Sequence, residues 1–240
     1  MIFQKTVLVT EENTDGAGKL KLSGLLQYAQ EISGNHSDQL GFDWDTLADH
    51  QIFWAVLRHR VIIHRLPQAG ETVHLETWPM PATRAAYPRA VRATDCQGQL
   101  LFETVSLWVL MHRVNRTMIL PGKSGVDVPG IVRGDEPAFP GSLPPAEYEN
   151  SQLWQVSDWD LDRNGHVNNA RYLDHVQTLP DFPKNPRELT ICYLAELLPG
   201  QETELLWGVG EDGILSAEAV RTRTDVRDRK ERVFAVKVIC

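Results

Sequence analysis

An acid, an amide and an imidazole lie at alternate positions in one short polar stretch of this chain. They are the side chains of Asp162, Asn164 and His166, just before an amphipathic segment. An imidazole can exchange a proton near neutral pH, a carboxylate can orient or activate it, and an amide can donate to a developing oxyanion. The spacing predicts acid–base chemistry. The alternative is a polar turn that only caps the following helix.

The same stretch, counted from Asp160, also resembles the start of a calcium-binding EF-hand loop. Such a loop needs a bidentate glutamate at its twelfth position, where this chain has Arg171. A cation cannot replace two carboxylate oxygens, so calcium is not expected. No pair of histidines has metal-ligand spacing, and His36 and His175 are expected to be helix-end and surface groups. We therefore expect no metal site.

The composition is that of an ordinary globular protein, with 240 residues, 42% hydrophobic and 23% charged. No run approaches the roughly 18 apolar residues of a membrane span, and the first residues lack a secretory hydrophobic segment. The cysteines Cys96, Cys192 and Cys240 are scattered and odd in number, which disfavours a disulfide framework or a zinc cluster. We expect a cytoplasmic protein with reduced thiols and no membrane partner.

The formal net charge of -8 is a poor match for a nucleic-acid binder, which neutralises phosphates with clustered Lys and Arg. The one basic stretch, residues 221–232, is interrupted by Asp225, Asp228 and Glu231. A solvated strand or turn is the expected form of this stretch. No nucleic-acid partner is expected.

Residues 121–150 are so rich in proline and glycine that they favour neither a helix nor a central strand. We expect a linker over 121–150 between an N-terminal domain, residues 1–120, and a C-terminal domain, residues 151–240.

The two predicted domains are related by an internal repeat. A shift of 147 positions (162 minus 15) places Asp15 on Asp162 and Gly18 on Gly165, each before an amphipathic segment. Element order supports the duplication more than the few identities do.

The repeated turn differs in chemistry between the copies. Asn164 and His166 correspond to Ala17 and Lys19 in the first copy. If capping alone required the amide and imidazole, the first copy would need them too. The asymmetry favours a functional role for the second turn.

Each copy is predicted to consist of one helix followed by several antiparallel strands, an α+β plan with a sheet curled around the helix. In the first copy Leu22, Leu25, Leu26, Ala29 and Ile32 have helical spacing, with Ser23 as N-cap and a stop at Gly34-Asn35. The predicted strands of the first copy span 53–63, 72–78, 86–94 and 100–110. The second copy has a predicted helix at 169–177 and strands at 188–197, 202–209, 214–222 and 232–239.

Residues 160–169, followed by Tyr172-Leu173, resemble the Asp-x-Asn-x-His signature and following helix of the acyl-acyl carrier protein thioesterases of plants and bacteria. Weaker similarity lies in Gly18-Lys19-Leu20, in Trp54 and in Glu76-Thr77-Trp78. The resemblance implies a tandem (double) hotdog fold, in which each hotdog is a long helix wrapped by a curved antiparallel sheet.

The resemblance also implies a set of catalytic residues. The family's Asp, Asn and His fall on Asp162, Asn164 and His166, and a further acid falls on Glu196, for which a surface position is the alternative. Plant members carry a cysteine at the position of Leu197, and a leucine cannot attack a thioester. Attack by water or by a carboxylate remains, and which residue activates the water stays open.

By the same resemblance, the first copy is expected to hold the acyl chain. Candidate substrate-binding residues are Leu25, Ala29, Ile32, Trp54 and Val56, with core packing as the alternative for each.

The implied activity is hydrolysis of fatty acyl-acyl carrier protein thioesters to a free fatty acid and holo acyl carrier protein, which ends fatty acid biosynthesis. The implied partner is acyl carrier protein, and the implied reaction needs neither a metal nor a cofactor. An acyl-CoA thioesterase and a non-catalytic acyl-binding protein are the alternatives. A tandem pair already supplies the sheet partner that a single hotdog needs, so a monomer or a homodimer is expected.

Overall fold

The computed structural model describes residues 1–162, 165–222 and 230–240. The chain forms two compact units, Met1–Pro140 and Gly141–Cys240. The division lies inside the proline-rich segment expected at 121–150, and residues 121–140 group with the first unit. Among the described residues, no helix has the length and apolar character needed to cross a bilayer.

The first unit is an antiparallel sheet with strand order β1-β3-β4-β5-β2. Register shifts interrupt β2 between Val56 and Arg58 and β4 between Ala93 and Thr94, and such bulges bend and twist a strand. The elements are β1 (Phe3–Leu8), α1 (Leu22–Gln39), α2 (Trp44–Asp49), β2 (Ile52–Ile63), β3 (Thr72–Pro79), β4 (Tyr87–Thr94), β5 (Leu100–His112) and β6 (Met118–Ile119), which pairs with β5.

Helix α1 packs its apolar face on this sheet, against β1, β3 and β4. Leu25, Leu26 and Ile32 are each at most 1% exposed, as the helical spacing predicts. The predicted ends of the helix are wrong. The N-cap is Lys21 rather than Ser23, and the helix continues past Gly34-Asn35 to Gln39. In the last turn His36 is 0% exposed and stacks on Phe3 of β1, with ring centroids 5.6 Å apart, and this packing offsets the low helix propensity of Gly34 and Asn35.

The second unit repeats the plan with strand order β7-β9-β10-β11-β8. This is the order of the first unit, strand for strand, which confirms the internal duplication. The elements are β7 (Asn150–Gln155), α3 (Arg171–Gln177), β8 (Glu188–Tyr193), β9 (Glu202–Val209), β10 (Leu215–Thr222) and β11 (Lys230–Ile239).

Helix α3 spans 7 residues, against 18 for α1. Tyr172, Leu173 and Val176 form its buried face. The Tyr172 ring stacks on Phe234 of β11, with ring centroids 4.7 Å apart. This aromatic contact fixes α3, and the turn before it, on the sheet of the second unit.

Candidate active site

Two backbone hydrogen bonds of the repeated turn, between residues that the structure describes, are the same in both units. In the first unit, Asp15 N donates to Lys19 O at 2.8 Å and Gly18 N donates to Asp15 O at 2.9 Å. Gly18 has a φ of 75°, a left-handed conformation that costs glycine little. The Asp15 carboxylate accepts from Ala17 N at 2.9 Å and Lys19 N at 3.0 Å.

In the second unit, Asp162 N donates to His166 O at 2.7 Å and Gly165 N donates to Asp162 O at 3.0 Å. Gly165 has a φ of 76°. The Asp162 carboxylate accepts from His166 N at 3.3 Å. The Asp and Gly therefore build the turn in both copies, and the imidazole is an addition of the second copy.

The structure brings His166 and Glu196 together, with 3.3 Å between His166 Nδ1 and Glu196 Oε1. The His166 side chain is 19% exposed and that of Glu196 is 49% exposed. This pair combines a proton-exchanging ring with a carboxylate that can orient it or share its charge. Water can reach the carboxylate side of the pair.

Glu196 reaches the turn because β8 ends early. The strand predicted over 188–197 stops at Tyr193, and Leu194 N and Ala195 N both donate to Val233 O, at 2.9 and 3.2 Å. The chain then leaves the sheet. Leu197 O accepts from Val167 N at 3.0 Å, which ties the Glu196 segment to the turn that carries His166.

Arg221 holds the Glu196 segment from its other side. Its Nη1 donates to Glu196 O at 2.6 Å and to Gln201 Oε1 at 3.0 Å, while Nε and Nη2 bind Glu231 at 2.8 and 2.7 Å. The expectation of a solvated face over 221–232 is wrong for Arg221, which is half-buried and fully engaged. Residues 223–229 of that stretch lie outside the described residues.

Asn164, the candidate oxyanion donor, also lies outside the described residues. Backbone N–H groups at the start of α3, near Asn169, are an alternative source of oxyanion donors. Two of them are already used, because Ala170 N donates to Asn168 Oδ1 at 2.9 Å and Arg171 N donates to Asn168 O at 2.9 Å. The role of Asn164 as oxyanion donor stays a prediction.

The last residue of β8, Tyr193, holds the segment just before α3. Tyr193 donates its hydroxyl to Asn169 O at 2.9 Å, and burial raises the pKa of Tyr193 well above its ordinary value, so the phenol stays a neutral donor. Cys192, also in β8, is 1% exposed and lies in the core. Leu197, beyond the end of β8, is 0% exposed.

His175 is not the surface group that its sequence context suggests. Its Nε2 lies 2.8 Å from Asp160 Oδ1, and Asp160 is buried. The sequence interpretation gave Asp160 no role beyond the rejected calcium loop. Both residues contact the base of the turn rather than the His166 ring.

A cleft of about 130 Å³ opens in the first unit beside α1. Four positions of α1 at helical spacing face it, Gln30, Ser33, Gly34 and Ser37. The remaining lining is largely apolar and aromatic, from Phe42, Trp54, Pro79, Tyr87, Pro88, Trp108 and Val128 with Arg89. Such a cleft suits an apolar ligand.

Of the five predicted acyl-binding residues, Trp54 lines this cleft. Leu25, Ala29, Ile32 and Val56 are 1%, 3%, 0% and 5% exposed and do not line it. For these four, contact with an acyl chain stays a prediction.

Arg89 places a cation in the cleft wall. Its Nη1 donates to His36 Nδ1 at 3.0 Å and to Thr77 Oγ1 at 3.2 Å. Burial, and then the charge of Arg89, lowers the pKa of His36 to about 4, so the ring is neutral and accepts the bond. Burial lowers the pKa of Arg89 to about 10, which leaves it charged at neutral pH. His36, expected as a helix-end group, lies in the last turn of α1 and is 0% exposed.

Sequence comparison identifies the family. The acyl-ACP thioesterase N-terminal domain matches residues 1–120, and the acyl-ACP thioesterase C-terminal domain matches residues 144–231. The chain belongs to the acyl-acyl carrier protein thioesterase family.

Curated relatives include a chloroplastic dodecanoyl-acyl-carrier-protein hydrolase of Umbellularia californica, 26% identical over 204 residues, which are 75% of this chain and 52% of that protein. A chloroplastic palmitoyl-acyl carrier protein thioesterase of Arabidopsis thaliana is 24% identical over 198 residues, 73% of this chain and 46% of that protein. The chain thus spans about half the length of these relatives.

Solved structures share the fold over nearly the whole chain. An acyl-ACP thioesterase from Bacteroides thetaiotaomicron matches with a TM-score of 0.80 and 23% identity, over 99% of this chain and 97% of that one. The 12:0-ACP thioesterase from Umbellularia californica matches with a TM-score of 0.80 and 22% identity, over 99% of this chain and 96% of that one. The tandem hotdog prediction is confirmed.

Proposed function

We propose that this chain hydrolyses fatty acyl thioesters of acyl carrier protein, releasing a free fatty acid and holo acyl carrier protein, and so ends fatty acid biosynthesis. The observation that carries the proposal is the His166–Glu196 contact of 3.3 Å. It occurs on a turn whose copy in the first unit has the equivalent backbone hydrogen bonds at its Asp and Gly but Lys19 in place of the imidazole. Membership of the acyl-ACP thioesterase family supports the substrate class.

In the proposed reaction, a water oxygen bonds to the thioester carbonyl carbon while the His166–Glu196 pair accepts a proton from that water. The resulting oxyanion is stabilised by the Asn164 amide, the role its family position gives it. The carbon–sulfur bond then breaks, and the proton passes to the sulfur, which leaves as the thiol of acyl carrier protein. Asp162 orients the turn through the His166 backbone N–H.

The cleft of the first unit is the proposed site for the acyl chain. Its aromatic and proline walls supply apolar contact area, and burial of each methylene contributes about 0.8 kcal/mol. The small residues Ser33, Gly34 and Ser37 keep the α1 side of the cleft open. Side-chain size on this helix face then limits the chain length that fits.

Gly34→Leu is expected to shift the preference toward shorter acyl chains. A Cβ at Gly34 meets no atom within 4 Å outside the backbone of its own helix, so a side chain can start from this position on the cleft-lining face of α1. We expect the longest good donor of the wild type to lose about tenfold or more in kcat/KM, roughly 1.4 kcal/mol, while the shortest donor changes less than about twofold. The measurement is kcat/KM across saturated donors of graded length.

Gly16→Leu is the matched control, because a Cβ there also meets nothing within 4 Å and Gly16 does not line the cleft. Stability is expected to rise with Gly34→Leu, since leucine gains nearly 1 kcal/mol over glycine in helix propensity. If Gly34→Leu leaves the chain-length preference unchanged, the proposal that the acyl chain binds in this cleft is rejected.

The proposed activity is tested by measuring thiol release from matched acyl groups carried by acyl carrier protein and by CoA. We expect release from both to depend on the enzyme, with a higher kcat/KM for the acyl carrier protein donor. Faster hydrolysis of the CoA donor would reassign the substrate class. No thiol release from any acyl thioester would reject hydrolysis and favour a binding role.

We further propose a cytoplasmic location, with acyl carrier protein as the macromolecular partner and a monomer or homodimer as the assembly. Cys96, Cys192 and Cys240 are all free thiols, which fits a reducing compartment.

A further inference from the structure

The base of the candidate catalytic turn is closed by one buried carboxylate, that of Asp160. Its Oδ1 lies 2.8 Å from His175 Nε2, and its Oδ2 accepts from both the backbone N and the hydroxyl of Ser157, each at 2.8 Å. The Asp160 carbonyl accepts from Asn168 N at 2.7 Å. Asp160 therefore joins the two ends of the turn, at 160 and 168, to helix α3.

His175 is itself held in one orientation. Its ring lies over that of Trp154 in β7, with centroids 4.1 Å apart and planes tilted by 34°. Trp154 is 5% exposed and packs edge-on against Tyr172 of the same helix at 5.5 Å. This packing directs Nε2 toward Asp160, so a rigid helix and strand set the position of the turn.

The first unit has an equivalent contact, but between two neutral side chains. The 147-position shift places Asp160 on Asn13 (160 minus 147) and His175 on Tyr28 (175 minus 147). Asn13 Nδ2 donates to the Tyr28 hydroxyl at 3.4 Å, and Asn13 O accepts from Lys21 N at 2.9 Å.

The shift also places Ser157 on Thr10 (157 minus 147), and Asn13 Nδ2 donates to Thr10 Oγ1 at 3.3 Å. In the first unit, the 3.4 Å contact between the neutral side chains of Asn13 and Tyr28 is therefore sufficient for the fold. In the second unit, which carries the His166–Glu196 pair, the equivalent contact between Asp160 and His175 is shorter and joins two ionisable side chains.

The Asp160 carboxylate is ionised. Burial raises its pKa, but the hydrogen bonds from His175 and Ser157 lower the pKa by more, so the net shift is downward.

We propose that Asp160 and His175 are positioning residues for the thioesterase reaction, a charged clamp that fixes the base of the turn and thereby holds His166 within reach of Glu196. The clamp rests on the proposed function. Charge-assisted hydrogen bonds are roughly twice as strong as neutral ones, and a misplacement of about 1 Å in a catalytic group can cost about a hundredfold in rate. Loss of the clamp is expected to lower kcat and to leave KM nearly unchanged, because neither Asp160 nor His175 lines the acyl cleft.

The test exchanges the charged clamp for the neutral one that the protein already uses. Asp160→Asn combined with His175→Tyr reproduces the Asn13–Tyr28 pair in the second unit. We expect this double variant to fold, to lose about tenfold or more in kcat, and to keep KM within about twofold, since the acyl-binding cleft is untouched. His175→Gln retains an N–H donor near the position of Nε2 and is expected to restore kcat to within about threefold of wild type.

Tyr28→Phe is the matched control in the first unit, because it removes the neutral contact and is expected to leave kcat and KM unchanged. The clamp proposal is overturned if the double variant has the kcat of the wild type. It is also overturned if His175→Gln loses as much kcat as His175→Tyr. If the double variant does not fold, the comparison of His175→Tyr with His175→Gln decides in the same way. A wild-type enzyme that releases no thiol would reject the proposed function itself, whereas an active wild type with equally active clamp variants rejects the clamp alone.

Discussion

His166→Ala is expected to lower kcat for acyl-acyl carrier protein hydrolysis by about 10²- to 10⁴-fold, the range for losing a group that transfers protons in the transition state. The His166 ring contributes one partner of the 3.3 Å contact with Glu196. The hydrogen bonds that build the turn use its backbone N and O, which alanine keeps. The fold should therefore survive, with a melting temperature close to that of the wild type.

Lys19→Ala provides the matched control for His166→Ala. Lys19 occupies the equivalent position in the first unit, and Asp15 N donates to its carbonyl as Asp162 N does to that of His166. We expect Lys19→Ala to change kcat by less than about twofold. Comparable losses in the two variants would mean that the turn matters for stability alone, and would remove His166 from the reaction.

Asp162→Ala is expected to lower kcat by at least about tenfold. Asp162 also accepts a backbone hydrogen bond from His166 N at 3.3 Å. A catalytic role of its carboxylate must therefore be distinguished from its role in building the turn. Asp15 fills the corresponding place in the first unit, with two such bonds of 2.9 and 3.0 Å. Both alanine variants should lose about 1 kcal/mol of stability. The measurements are kcat and the free energy of unfolding for each variant.

Asp15→Ala is expected to keep kcat within about twofold of wild type despite its lower stability. The contrast isolates what Asp162 adds to the second turn. An Asp15→Ala variant as slow as Asp162→Ala would show that loosening either turn suffices, and Asp162 would then have no role beyond building its turn.

Much of the fold could be predicted from sequence because strand segments combine β-branched and aromatic residues between turn residues. Strand β9 (Glu202–Val209) matches its predicted range at both ends. The edge strands β1 (Phe3–Leu8) and β7 (Asn150–Gln155) were missed. Each is mostly exposed or half-buried, so its residues carry little of the apolar signal on which strand prediction depends.

The end of β8 could not be predicted, and it decides where Glu196 lies. Residues 188–197 are apolar enough for one continuous strand. In the structure, Leu194 N and Ala195 N share a single acceptor, Val233 O, and the chain leaves the sheet. This irregularity depends on pairing with a strand about forty residues away, which a local pattern does not report.

The candidate site was predictable where its residues are close in sequence. Asp162 and His166 lie in one turn, and the shifted comparison with the first unit separated the structural Asp from the added His. The Asp160–His175 clamp was missed because its members belong to different elements. A signal existed, since the same shift that aligned Asp15 with Asp162 also aligns Asn13 with Asp160 and Tyr28 with His175.

The most direct test of the central claim, that His166 and Glu196 act as one catalytic pair, is kcat for thiol release by the His166→Ala/Glu196→Ala double variant beside the two single variants. Residues that act as a unit give non-additive losses. We predict that the double variant is within about threefold of the slower single variant. Losses that multiply, or a single variant with wild-type kcat, would contradict the account.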